Sequence, residues 1–250
     1  MIDVRNEGAV AVLTMTHGKA NALDVEFCTA LADRFDALRG EAAKAVILTA
    51  EGKIFSAGVD LKRLSDEGPV YVRRFLPALH RLYEAVFFHP KPVVAALNGH
   101  AIAGGCVLAA CADRRVMAQG TARVGTTELL VGVPLPALAF EVVRSVVPER
   151  FLPEVIYSGA TYDTDMALER GWIDEVVEAE DLMEDALAVA EELAELSPAA
   201  FALTKQQLRM PVRERLDRDG AAIEAAATEI WCADDTLKRV ADYVAKTLRK

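Results

Sequence analysis

The sequence lacks a disulfide framework and any apolar run long enough to cross a membrane. It has four cysteines in 250 residues, and no two of them form a CxxC pair. Sparse, scattered thiols in apolar surroundings are typical of reduced cytosolic proteins. The longest apolar runs, 101–112 and 129–140, are about a dozen residues, whereas a membrane-spanning helix needs ~20. Because no basic segment precedes an apolar stretch at the N-terminus, no signal peptide is predicted. We therefore expect a cytoplasmic protein with no membrane partner.

Basic charge is also scarce. The 28 lysines and arginines are outnumbered by 38 acidic residues, which gives a formal net charge of -10. An acidic surface argues against nucleic acid as the main partner, although a local basic cluster can still hold a small anion. Neither GxxxxGK[ST] nor GxGxxG occurs, so a nucleotide-phosphate loop is not indicated. The four histidines share no metal-ligand spacing with one another or with cysteine, so no metal site is predicted.

Short, apolar, β-branched runs are present through the first half of the chain. The runs that predict buried strands are 10–15, 45–50, 93–97 and 113–118. Amphipathic or turn-rich segments separate them. This alternation predicts an α/β unit with right-handed connections between its strands.

Helical signals fall between these runs and dominate the second half. Asp24 is a candidate N-cap for one helix, and Pro69 opens another that continues to about His89. From Ala137 onward the pattern is almost entirely helical, with helices expected over 181–196, from Pro198, over 212–231 and over 234–248. A chain of 250 residues is long enough for one substantial domain. We predict a boundary near residue 195, with an α/β core over 1–195 and a helical region over 196–250.

Two glycine-bearing loops follow predicted strands. One is the segment 56–60, which contains Gly58, and the other is 98–111, in which Gly104 and Gly105 open a predicted helix. Glycines at such turns expose backbone N–H groups, which suit a developing negative charge. Two loops at the ends of neighbouring strands would form a two-donor oxyanion hole. Spacing alone leaves two unrelated turns, or a tightly packed helix, as the alternative.

Six segments that occur in order span nearly the whole chain: HGKANALD, IFSAGVDLKRL, NGHAIAGGCVLAACADRRVM, TTELLVGV, SGATYDTDMALERGWIDEVV and SPAAFALTKQQL. Together they resemble the crotonase superfamily, the enoyl-CoA hydratase/isomerase family. The resemblance implies an α/β crotonase (ClpP-like) spiral fold of ββα units, with a helical C-terminal region that trimerises. It also implies an acyl-CoA thioester as ligand and a homotrimer or hexamer. It implies no cofactor other than the coenzyme A of the substrate itself.

The resemblance assigns site residues as well. The family's oxyanion donors fall on the backbone N–H groups of Val59 and Gly104. Its coenzyme A groove falls on Ala20, Ala57, Asp60 and Leu61. Four basic residues near the two loops either meet CoA phosphates or are solvated surface charges, of which the second is the favoured interpretation: Lys19, Lys53, Lys62 and Arg63.

One departure from the family pattern bears on the reaction. Hydratases of this family have two catalytic glutamates, and the first of these positions is Val107 in this chain. Valine cannot transfer a proton, and Val107 is predicted to lie one helical turn beyond Gly104 on the ligand side. The second position is Glu128, whose apolar neighbours would raise its pKa toward neutrality if they bury it. The alternative for Glu128 is an exposed loop carboxylate.

One carboxylate and an oxyanion hole suffice for a 1,3-proton shift, so the sequence favours a Δ3-Δ2-enoyl-CoA isomerase. The proline-containing stretch 133–138 either lines an acyl-chain pocket or packs in the core. A hydratase, or another enolate-forming crotonase such as a decarboxylase, is the first alternative. A non-catalytic acyl-CoA-binding protein or an RNA-binding relative is the second. The acidic net charge argues against RNA, and the retained Glu128 argues against an inactive site.

Overall fold

The computed structural model of the protein describes residues 1–247 and contains two sheets. The strands are β1 (Ile2–Glu7), β2 (Val10–Met15), β3 (Ala45–Ala50), β4 (Ile54–Ser56), β5 (Val93–Leu97), β6 (His100–Ile102), β7 (Arg114–Ala118), β8 (Val124–Gly125) and β9 (Glu175–Val177). The larger sheet has the order β1-β2-β3-β5-β7-β9, and only its β1–β2 pair is antiparallel. The smaller sheet is parallel, with the order β4-β6-β8.

Helices surround these sheets. They are α1 (Val25–Leu38), α2 (Leu61–Phe87), α3 (Gly104–Ala110), α4 (Ala137–Val146), α5 (Leu152–Ser158), α6 (Thr164–Glu169), α7 (Leu182–Ala194), α8 (Pro198–Arg215), α9 (Ala221–Cys232) and α10 (Asp234–Thr247). A 3₁₀ turn spans Glu128–Val131, and a π-helical turn, Leu216–Gly220, joins α8 to α9. Within residues 1–247, none of the helices combines the length and the apolar character that crossing a bilayer requires.

The inner strands of the larger sheet are buried on both faces, which explains their continuously apolar sequences. In β2, Val10 and Val12 belong to a core layer formed with α7. Leu13 and Met15 point to the opposite face and belong to the larger core with α1 and α2. The predicted strands 10–15, 45–50 and 93–97 are confirmed with the same bounds, and the fourth begins one residue later than predicted. The expected α/β alternation is therefore confirmed.

The strands that the sequence did not predict are the two edge strands of the larger sheet, β1 and β9, and the short strands of the smaller sheet, β4, β6 and β8. β1 has mostly exposed polar residues, and β9 is only half-buried, so neither has the apolar pattern of the inner strands. The helix predicted from Pro69 also starts earlier, because α2 begins at Leu61 and is broken at Gly68, where φ is 66°. Pro69 opens the segment that follows this break.

The prediction of one helix over 212–231 was wrong. Helix α8 continues through Pro211 because Val212 is buried against the core, and a π-helical turn then separates it from α9. Helix α10 was expected to reach Leu248, which lies outside the described residues. α10 packs on α2 and on the 3₁₀ turn. The domain boundary near residue 195 stays a prediction.

Candidate active site

The two glycine loops lie against each other because β4 and β6 are paired strands, with Ser56 opposite Ala101. A methyl carbon added to Gly58 would lie 2.9 Å from the backbone nitrogen of Gly104 and 2.7 Å from the carbonyl oxygen of Ile102. Gly58 also has a φ of +80°, which favours glycine. The loop segments after neighbouring strands are therefore in contact, as the sequence predicted, and glycine is required at the point of contact.

The loop at residues 17–24 fixes the direction of the Val59 N–H group. Leu23 donates from its backbone nitrogen to the Gly58 carbonyl oxygen at 2.8 Å, and its own carbonyl oxygen accepts from Asp60 N at 3.0 Å. In this parallel bridge the peptide groups on both sides of Val59 face Leu23. The N–H of Val59 consequently faces the other way, and no acceptor within residues 1–247 receives it. It is available to a ligand.

An unusual backbone conformation precedes Gly104. Ala103 has φ 51° and ψ −126°, a region that non-glycine residues rarely occupy. Such a residue costs about 1–3 kcal/mol and persists only where its surroundings hold it. Here Ala103 N donates to the Gly125 carbonyl oxygen at 2.8 Å, and the Ala103 carbonyl oxygen accepts from Cys106 N at 2.9 Å. The N–H of Gly104, at the first position of α3, has no acceptor in the described part of the chain.

A residue with positive φ therefore precedes each of the two expected oxyanion donors. Gly58 comes directly before Val59, and Ala103 comes directly before Gly104. Backbone outliers of this kind cluster at ligand-binding and catalytic sites. The sequence could suggest the first from its glycine, but an alanine at position 103 gives no sign of the second.

Glu128 begins the 3₁₀ turn and is buried, with only 7% of its surface exposed, rather than lying on an exposed loop. Its Oε2 atom has no hydrogen-bond partner among the described residues. Burial raises the pKa of Glu128 to about 7, and the nearby N–H groups of Glu128 and Thr127 oppose this rise. A carboxyl group with such a pKa can both accept and return a proton near neutral pH.

The side chain of Tyr83 lies near this carboxylate and is hydrogen-bonded to the glycine loop. Its hydroxyl donates to the Gly104 carbonyl oxygen at 2.9 Å, and it is almost fully buried. Burial raises the pKa of the Tyr83 hydroxyl, and the charge of Glu128 contributes to the same direction. Burial and the charge of Glu128 also raise the pKa of the Cys106 thiol, which keeps it protonated and unreactive. Glu128, Tyr83 and Cys106 thus share one buried region beside Gly104.

Val107 is completely buried on α3, one turn beyond Gly104. The other buried carboxylates of the described chain are already engaged: Asp24 caps α1 by accepting from Phe27 N, and Glu141 pairs with Arg215. Glu128 is therefore the buried carboxylate that remains free for proton transfer within residues 1–247.

A pocket of about 210 Å³ adjoins Glu128. Its remaining lining is mostly apolar and comprises Thr126, Leu129, Pro134, Leu135, Phe140, Ile156 and Tyr157. The stretch 133–138 contributes both to this pocket and to the core, and its contact with an acyl chain stays a prediction. Pro134 and Leu135 line the pocket, whereas Val133 and Leu138 pack in the core. Such a pocket suits a hydrocarbon group near the carboxylate.

The residues expected to line a coenzyme A groove lie on the outer side of the same loops. Ala57 N donates to the Ala20 carbonyl oxygen at 2.9 Å, so these two residues are neighbours. Asp60 caps α2 by accepting from Arg63 N at 2.9 Å, and Leu61 is the first residue of that helix. The structure therefore brings together all four positions, and their role in binding stays a prediction.

The four basic residues near the loops differ in their ion pairs. Lys62 pairs with Asp66 at 2.5 Å, and Arg63 pairs with Glu26 and with Glu67. Lys19 and Lys53 have no such partner among residues 1–247. Whether any of the four meets a phosphate group stays a prediction.

Comparison with known proteins agrees with this geometry. The profile of the family described as enoyl-CoA hydratase/isomerase matches residues 5–247. The chain belongs to this family. The crotonase resemblance and the α/β fold that it implied are thereby confirmed, whereas trimerisation stays a prediction.

Some similar members of the enoyl-CoA hydratase/isomerase family are named hydratases, and others are named isomerases. The chain is 33% identical to a putative enoyl-CoA hydratase of Thermus thermophilus, over 83% of each chain. It is 25% identical to enoyl-CoA delta isomerase 1, mitochondrial, of Rattus norvegicus, over 100% of this chain and 88% of the relative. The crystal structure of human mitochondrial delta3-delta2-enoyl-CoA isomerase has a TM-score of 0.93 at 26% identity, over 98% of this chain and 97% of that one.

Proposed function

We propose that this protein is a Δ3-Δ2-enoyl-CoA isomerase. The observation that carries the proposal is that Glu128 is the one buried carboxylate left without an ion pair or capping role within residues 1–247, while the apolar Val107 occupies the position of a hydratase's first glutamate. Water addition needs one group to activate water and another to protonate the α-carbon. A 1,3-proton shift needs only one group that takes a proton and gives it back.

The proposed reaction gives each of these groups a role. Glu128 accepts the proton from C2 of a 3-enoyl-CoA, the C2–H electron pair forms a double bond between C1 and C2, and the carbonyl π electrons move onto the thioester oxygen. The N–H groups of Val59 and Gly104 stabilise the resulting dienolate oxygen, because neither has another acceptor within residues 1–247. Glu128 then donates the proton to C4, which leaves the double bond between C2 and C3. Coenzyme A takes part only as the thioester portion of the substrate.

The surroundings of Glu128 support a hydrocarbon acyl group. The adjoining pocket is lined mainly by apolar side chains, among them Leu135, Phe140 and Ile156. Thr126, one of its polar residues, already donates its hydroxyl to the Val155 carbonyl oxygen at 3.2 Å. The name of the human structural neighbour is consistent with the same reaction.

The second candidate is an enoyl-CoA hydratase. It is favoured by the relative from Thermus thermophilus, which is named a putative hydratase and is 33% identical. A hydratase would need a second proton-transfer group in place of Val107. A third possibility is binding of acyl-CoA without catalysis, against which the buried, raised-pKa Glu128 argues.

Two substrates distinguish these candidates. Purified protein is mixed with a 3-enoyl-CoA and, separately, with a 2-enoyl-CoA, and absorbance of the conjugated thioester is followed. An isomerase increases this absorbance with the first substrate. Rapid loss of absorbance with the second, without turnover of the first, would establish a hydratase and refute our proposal. No change with either substrate would favour the non-catalytic alternative.

The rate should depend on pH through Glu128. Its pKa is raised to about 7, and only its carboxylate form accepts the C2 proton. We therefore expect kcat/KM for isomerisation to be constant above about pH 8 and to fall tenfold per pH unit well below pH 7. A profile recorded from pH 5.5 to pH 9 measures this midpoint. Activity that stays constant down to pH 5.5 would contradict the role of Glu128 as base.

We also propose that the chain forms trimers, alone or paired as hexamers. Helices α8 and α9 expose several large apolar side chains, namely Leu203, Leu208, Met210, Ile223 and Ile230. Exposed apolar surface of this extent is typical of protein–protein contacts. Light scattering should give three or six times the chain mass of 27.1 kDa. A mass of one chain at micromolar concentration would contradict this expectation.

A further inference from the structure

Tyr83 makes a contact that the proposed reaction has not yet used. It lies on α2, far in sequence from the glycine loop, and its hydroxyl donates to the Gly104 carbonyl oxygen at 2.9 Å. No other side chain within residues 1–247 hydrogen-bonds to the backbone of 103–110. Tyr83 is almost fully buried, so water does not compete for this bond.

Ala103, which directly precedes the Gly104 carbonyl that Tyr83 binds, has a conformation that its surroundings must restrain. Ala103 has a positive φ, and backbone hydrogen bonds fix its own N–H and carbonyl groups. Strained conformations of this kind relax unless the structure on both sides restrains them. The Tyr83 hydroxyl supplies the side-chain restraint at the following residue, Gly104.

Packing also leaves little space beside Gly104. A methyl carbon on Gly104 would lie 2.9 Å from the Tyr83 hydroxyl oxygen and 3.1 Å from Leu23 Cδ1. The Tyr83 hydroxyl therefore fills the space where a side chain at position 104 would lie, as well as bonding to the Gly104 carbonyl oxygen. Only glycine fits at this position without displacing the hydroxyl.

We propose that Tyr83 is a positioning residue, whose hydroxyl holds Gly104 so that its N–H points at the thioester oxygen. Tyr83 itself transfers no proton and bonds to no reacting atom. The inference rests on the proposed function, because it assumes that Gly104 N–H binds a thioester.

The test compares Tyr83→Phe with Tyr71→Phe. Tyr71 is a second buried tyrosine on α2, and its hydroxyl accepts from Val25 N at 3.3 Å and makes no hydrogen bond to the backbone of 103–110. We expect Tyr83→Phe to lower kcat for a 3-enoyl-CoA about tenfold with little change in KM. The effect is smaller than the loss of a whole donor because the N–H remains present but is less well aimed. Tyr71→Phe should keep the original kcat.

Absorbance of a bound probe gives a readout that a purely structural role would not change. Cinnamoyl-CoA has no C4 proton to transfer, and its absorption moves to longer wavelength when hydrogen bonds polarise its carbonyl group. Measured per bound probe, the shift should be smaller in Tyr83→Phe than in the unaltered protein or in Tyr71→Phe. Because only folded, probe-bound protein contributes to this signal, a modest loss of stability does not affect it.

The outcomes separate this inference from the proposed function. If the unaltered protein neither binds the probe nor shifts its absorption, the proposed thioester site is wrong. If the unaltered protein shifts the probe and Tyr83→Phe gives the same shift and the same kcat, the positioning role is wrong. Equal losses in Tyr83→Phe and Tyr71→Phe would also overturn it, because they would reflect the loss of any buried hydroxyl on α2.

Discussion

Replacing Glu128 with glutamine should lower kcat for isomerisation by about 10³-fold. Glutamine has nearly the same shape as glutamate but cannot accept a proton from carbon. The oxyanion donors belong to the backbone of Val59 and Gly104, which this substitution leaves unchanged. Binding of the thioester should therefore persist while turnover is lost. Stopped-flow absorbance of the conjugated product, together with the affinity for cinnamoyl-CoA, measures the two effects separately.

A matched control is Glu154→Gln, which removes a carboxylate paired with Arg170 on an exposed part of the protein. Surface ion pairs contribute little to stability, so this variant should isomerise at the original rate. Retention of most activity by Glu128→Gln would show that another group transfers the proton. Equal losses in both variants would attribute the effect to charge or stability rather than to the site.

Replacing Gly58 with alanine should cost about 10²–10³-fold in kcat, and stability as well. The added methyl carbon would lie 2.9 Å from Gly104 N and 2.7 Å from Ile102 O, and both are backbone atoms that cannot rotate away. The two loops must separate to admit it, which moves the Gly104 donor relative to the Val59 donor. Left-handed φ at a residue with a side chain adds about 1–2 kcal/mol of destabilisation. Steady-state kinetics and thermal unfolding measure the two losses.

The control variant Gly52→Ala separates the steric clash of the added methyl group from the cost of a left-handed φ. Gly52 has φ +79°, almost the value at Gly58, but a methyl group there meets nothing within 4 Å. This variant should lose a similar conformational contribution to stability and keep its activity. If Gly58→Ala is as active as Gly52→Ala, the contact between the two loops does not control the oxyanion donors.

The inner strands could be predicted from sequence because burial on both faces leaves a clear apolar pattern. The runs 45–50 and 93–97 are apolar at almost every position and are fully covered by helices. β1 and β9 could not be predicted in this way. β1 is stabilised mainly by backbone hydrogen bonds to β2, and β9 by pairing with β7, neither of which requires apolar side chains.

The candidate site was predictable only where it depends on local chemistry or on family resemblance. Glycine at position 58 and the pair at 104 and 105 indicated the two loops, and the resemblance indicated Glu128. Tyr83 could not be recognised, because a tyrosine at core spacing on a helix looks like any other core aromatic. The bridge from Leu23 to the loop around Val59 also joins residues far apart in sequence, and such hydrogen bonds follow no residue pattern.

The burial of Glu128 links folding to proton binding. Between pH 4.5 and about 7 the folded protein retains a proton on this carboxyl group that the unfolded chain has released. The stabilising contribution of the protonated group is complete below pH 4.5 and is lost as the pH rises through about 7. The difference between these two pKa values corresponds to about 3 kcal/mol, a large part of the 5–15 kcal/mol typical of domains. The residue thus weakens the native state over the same pH range in which it becomes a base, and the rest of the core must compensate.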